Sequence, residues 1–112
     1  MVQGIEGASF EDTGYSYTLS LIRGEHKMSI LYCLMEYEPV RFNEMRRYLG
    51  GVSDRTLSRS LKKLEADSLV SRREFPQIPP RVEYSLTERG ASLMDMLDRL
   101  CAWGENNRPG SK

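Results

Sequence analysis

The stretch "DRTLSRSLKKLEAD", residues 54–67, carries Arg55, Arg59, Lys62 and Lys63. On a wheel of about 100° per residue, Leu57, Leu61 and Leu64 form one narrow seam. Arg55, Arg59 and Lys62 lie about 140–200° from Leu57, on the opposite face, with Thr56 and Ser58 beside them. These residue types suit one chemistry. Arginine reads guanine O6 and N7 bidentately, Ser and Thr hydroxyls reach bases or phosphates, and lysine neutralises phosphate. Ser53 is a good N-cap and Asp54 suits the positive first turn, so a helix over about 53–66 is predicted. Taken alone, the cationic face describes a solvated amphipathic helix equally well.

The context favours nucleic acid. The chain is neutral, with 16 Lys and Arg against 16 Asp and Glu. Residues 1–40 hold two cations and six carboxylates, residues 41–73 nine and four, and residues 74–112 five and six. The middle third is a basic block inside a neutral protein. That disfavours indiscriminate polyanion binding and leaves a local face able to steer onto nucleic acid.

Other chemistries find little support. The single histidine, His26, lies between Glu25 and Lys27 with no metal-ligand spacing. Cys33 and Cys101 are far apart and sit among apolar residues, where a reduced thiol packs as a small hydrophobe. Glu36 and Glu38 show no acid–base partner, and there is no phosphate-binding glycine loop or nucleophile motif. A non-enzyme without cofactor or metal is expected.

The 112 residues suit one domain with a modest core. No apolar run approaches the ~18 residues of a membrane span. "MVQGIEGASFEDTG" reads as a polar arm rather than a signal peptide. With reduced cysteines, this suits a cytoplasmic protein with no membrane partner. Residues 1–14 are read as a flexible arm, 15–107 as the domain and 108–112 as a flexible tail.

The elements that must position the cations follow from periodicity. "YSYTLSLIRG" predicts a short helix stopped at Gly24, and "EHKMSILYCLMEYEP" a central one with Glu25 in its first turn and Pro39 closing it. "RFNEMRRYLGG" places Phe42, Met45 and Leu49 on one face and ends at Gly50–Gly51. This short helix and the cationic one, joined by a glycine-containing link, outline a helix-turn-helix. "LVSRREF" and "RVEYSL" predict a β-hairpin whose tip is "PQIPP", with Val82, Tyr84 and Leu86 inward and Arg81, Glu83 and Ser85 outward. The stiff tip aims Arg81 at phosphates or the minor groove, with Arg72 and Arg73 on the approaching strand. Carboxylate pairing, with Glu74 or Glu83, is the alternative role for Arg72 and Arg73.

Thr87 predicts the cap of one continuous last helix, about 88–107. Leu93, Met94, Met96, Leu97, Leu100, Cys101 and Trp103 spread over about half its circumference, wider than the ~100° stripe one core needs. A second copy is the simplest cover, giving a two-fold homodimer. The expected class is mainly α with a small β-hairpin (α+β), a winged helix-turn-helix dimerising through its terminal helices.

From Tyr17 to Trp103 the chain resembles the HxlR-type, MarR-like winged helix-turn-helix transcription regulators of bacteria and archaea. The resemblance rests on "RFNEMRRYL", on "VSDRTLSRSLKKLEADSLVSRREFPQIPPRVEYSLTERG" and on "LCAWG"; "PPRVEYSLTERG" is its most specific part. It implies a homodimer joined by the terminal helices, with help from the N-terminal helix that holds Leu19. It implies an inverted-repeat operator of double-stranded DNA, with helix 53–66 in the major groove and the wing, about 75–82, near the minor groove. The implied contacts are Arg41, the run Ser53, Asp54, Arg55, Thr56, Ser58 and Arg59, and Arg81. Two departures stand out. Thr13 occupies the position of the Cys that some members use to sense electrophiles, and the usual "GGKW" reads "RGEH". His26 in place of the tryptophan is expected to alter packing or open a small-molecule effector pocket between the first two helices. Cys33 is the alternative candidate for a redox or effector site. A winged-helix module that binds only protein is the competing function, though such a module would tend to lose its aligned cations.

Overall fold

A computed structural model describes residues 4–110. The arm expected over 1–14 and the tail over 108–112 lie in part outside the described residues, at 1–3 and 111–112. A 3-10 turn at Ile5–Gly7 precedes α1 (Gly14–Ile22), α2 (Lys27–Tyr37), β1 (Val40–Arg41), α3 (Phe42–Tyr48) and α4 (Asp54–Ala66). The hairpin β2 (Val70–Phe75) and β3 (Arg81–Leu86) follows, then α5 (Glu88–Ala91) and α6 (Met94–Asn107).

Local signals start the helices. Thr13 caps α1 and Ser53 caps α4, each accepting from the backbone N–H three residues on (3.0 and 3.1 Å). The seam of α4 is fully used: Leu57, Leu61 and Leu64 are buried against Ile30, Leu31 and Leu34 of α2, with Met45 of α3. α2 begins later than predicted, with His26 as N-cap at φ 60°. Glu25 therefore precedes the helix rather than sitting in its first turn.

The hairpin register pairs Val70 with Leu86, Arg72 with Tyr84 and Phe75 with Arg81. Tyr84 is buried, with Val82 and Leu86 half-buried against the core, as the alternation predicts. Arg81 and Glu83 are less exposed than expected because they pair with each other (3.4 Å). A third strand, β1, adds to the sheet in the order β1-β3-β2, pairing Val40 with Tyr84 and Arg41 with Glu83. Two residues carry no readable period, so the sequence hid it.

The last helix is not continuous. The Ser92 hydroxyl donates to the Arg89 carbonyl (2.6 Å), and the Leu93 N–H turns back three residues to Gly90 (3.1 Å). The shift from four-residue to three-residue bonds divides α5 from α6. Gly90 packs against the loop before the wing, where a Cβ would lie 2.1 Å from the Leu69 carbonyl oxygen.

Candidate nucleic-acid interface

Helix α4 presents its cations to solvent. Arg55, Arg59, Lys62 and Lys63 are exposed, with Thr56 and Ser58 half-buried between them. Shallow grooves border this helix and the wing. One, of about 580 Å³, runs between α4 and the hairpin and is lined by Asp54, Ser58, Lys62, Arg72 and Tyr84 among others. A second, of about 500 Å³, lies between the start of α3 and the wing tip, where Arg41, Asn43 and Arg47 face Gln77, Pro79, Pro80 and Arg81. Asn43, Arg47 and Gln77 were not singled out by sequence as contact residues. Arg47 was visible only as a member of the basic block.

Several cations have carboxylate partners. Arg59 Nη2 donates to Glu25 Oε1 (3.1 Å). Arg46 Nε meets Asp54 Oδ1 (3.2 Å), so Asp54 bridges α3 to α4. Arg72 Nη2 reaches Glu74 Oε2 (3.1 Å). The hydrogen bond to Glu74, then one with Tyr84, raises the Arg72 pKa above its usual value. Arg73 and Arg81 both place their guanidinium carbons over the Phe75 ring, 4.7 and 4.1 Å from its centroid. These cation–π contacts stiffen the wing and leave N–H groups for a ligand. Among the described residues, Arg55, Lys62 and Lys63 have no ion-pair partner.

The remaining candidates are placed differently. Cys33 is 1 % exposed, and burial pushes its thiol pKa up, with Glu44 adding to the rise. That environment makes a structural cysteine rather than a reactive one. His26 shapes the turn into α2 and is half-buried. On α6, Leu97 is 1 % exposed and belongs to the protomer's own core, which corrects its assignment to a dimer face. Leu19, Leu93 and Met94 pack partly on the same core. Met96, Leu100 and Trp103 are exposed, and Cys101 is intermediate.

A helix-turn-helix of α3 and α4, followed by the β2–β3 hairpin that β1 extends to three strands, defines a winged helix-turn-helix protein. The HxlR-like helix-turn-helix family model matches residues 21–112. The chain belongs to the HxlR family. It is 51 % identical over 100 residues to an HTH-type transcriptional regulator of Halalkalibacterium halodurans, covering 89 % of this chain and 88 % of that one. It is 43 % identical over 90 residues to the HTH-type transcriptional regulator YdzF of Bacillus subtilis, covering 80 % and 83 %. The redox regulator HypR in its reduced form superposes with a TM-score of 0.80 at 39 % identity, covering 87 % of this chain and 95 % of that one. No described helix is long and apolar enough to cross a membrane.

Proposed function

We propose that the protein is a sequence-specific regulator that binds an inverted-repeat operator of double-stranded DNA as a homodimer in the cytoplasm. One observation carries the reading: Arg55, Arg59, Lys62 and Lys63 stand exposed on the helix face opposite its buried leucines. The N-terminal turns of α4 suit the major groove, where Arg55, Thr56 and Arg59 read base edges and Ser53, Ser58 and Lys62 hold phosphates. Arg41, Asn43 and Arg47 on one side and Gln77 and Arg81 on the other line a channel for the adjoining backbone. Arg72 and Arg73 support the wing as much as they offer charge. The second copy docks on α6 through Met96, Leu100, Cys101 and Trp103, which a lone protomer leaves open.

The test is a titration of a duplex selected from a random library. Affinity should fall steeply with salt, in proportion to the phosphates contacted. Arg59→Ala should cost about 1–3 kcal/mol, concentrated at one base step. An equal loss on every sequence would make Arg59 a phosphate contact. No duplex binding at low salt, by a stable dimer, would overturn the reading in favour of a protein-interaction module.

A further inference from the structure

Glu25 lies outside the recognition helix and was not singled out in sequence as a contact residue, yet it is built into the reading face. Its carboxylate Oε1 accepts from Arg59 Nη2 at 3.1 Å, across 34 positions of sequence. Its backbone is fixed as well. The Ser60 hydroxyl, on a residue only 4 % exposed, donates to the Glu25 carbonyl at 2.6 Å. The turn that carries it is shaped by Gly24 at φ 140° and His26 at φ 60°. A Cβ on Gly24 would sit 3.2 Å from the Lys27 side chain, so the turn leaves that position little room. Glu25 is thus held against α4 by main chain and side chain together.

Only one N–H of the Arg59 guanidinium is engaged. An arginine has five, arranged in a planar fork. The remaining edge is free to meet two acceptors at once. A side chain held at one corner has already lost much of its rotamer freedom, so less is lost when it meets a base.

We infer that Glu25 is a positioning residue for Arg59, a buttress that orients the guanidinium for base reading and so raises operator specificity without touching the base. This rests on the DNA-binding reading above. A pure phosphate contact gains little from a fixed plane, because phosphate accepts from many directions. A guanine edge demands a defined plane.

The experiment compares wild type, Glu25→Gln, Arg59→Ala and the double variant on the selected duplex and on a scrambled duplex of equal length. Glu25→Gln keeps the backbone bond from Ser60, so the fold is retained, and thermal unfolding checks this. The expected result is a two- to fivefold loss on the selected duplex, the scale of an exposed ion pair. Binding to the scrambled duplex should be unchanged or tighter, so the specificity ratio falls. In the Arg59→Ala background, Glu25→Gln should have no further effect on that ratio. An equal gain on both duplexes would make Glu25 a simple electrostatic brake and overturn the inference. An undiminished effect in the Arg59→Ala background would overturn it too. Failure of wild type to bind any duplex would remove the DNA-binding reading itself, and this inference with it.

Discussion

At the residue scale, the two thiols differ sharply. Cys33 is sealed in the α2 core with its pKa raised, first by burial and then by Glu44, while Cys101 on α6 keeps intermediate exposure. The thiolate is the reactive form, so alkylation of the native protein should spare Cys33, and Cys101 should label fully only in a monomeric variant, where the proposed second copy no longer covers α6. Cys33 should react only on unfolding, which mass spectrometry with and without urea would show. Rapid native labelling of Cys33 would contradict its burial. The sign of the linkage follows. A thiol whose folded pKa is raised stabilises the fold fully below its ordinary value. That contribution is lost as pH rises through the folded value, because the unfolded chain releases the proton first.

At the element scale, the wing and the last helices are locked by close approach of backbone. Thr87 donates its hydroxyl to the Ser68 carbonyl (2.6 Å) and its N–H to the Leu69 carbonyl (3.1 Å), while its hydroxyl also caps α5 through the Gly90 N–H (2.9 Å). Gly90 must stay bare because the Leu69 carbonyl occupies the place of its Cβ. Gly90→Ala should destabilise the fold by about 1–3 kcal/mol through overpacking against backbone, measured as a lower urea midpoint with an unchanged slope. A change under 0.5 kcal/mol would mean the contact relaxes freely. Elements were legible in the sequence where the signal was local and periodic. The leucine seam of α4, the Ser53 cap and the alternation of Val82, Tyr84 and Leu86 all sit within a few residues of each other. What escaped was set by tertiary partners or by local competition. β1 exists only because Val40 pairs with Tyr84, 44 positions on. The α5–α6 break leaves no mark in the apolar period, and the Glu25–Arg59 contact joins segments with no common period. The charge block marked the α4 surface but could not separate free cations from those already held by carboxylates.

At the scale of the whole molecule, the protomer is elongated. Its radius of gyration is 17.0 Å and its extents are 62 × 38 × 26 Å, against about 13 Å for a compact domain of this length. Large apolar groups project from it. Trp103 is 70 % exposed and Leu100 60 % on α6, with Ile5 90 % and Phe10 62 % before α1. Of α6, only Leu97 is fully committed to the protomer's own core. Such a face calls for cover, and a second copy related by a two-fold axis offers the same residues in return. The pairing also serves the proposed DNA reading. Two recognition helices must enter successive major grooves about 34 Å apart, which one domain cannot do. Leu100→Lys with Trp103→Ser should therefore yield a folded monomer in sedimentation at micromolar concentration, because both side chains are exposed and the core keeps Leu97. The same variant should lose at least about tenfold in affinity for the full operator, because its two half-sites are no longer bound by one linked particle. Its affinity for an isolated half-site should match that of wild type. A wild-type protein that sediments as a monomer would remove the dimer. A double variant that stays dimeric would move the interface away from this face of α6 and onto the segment before α1.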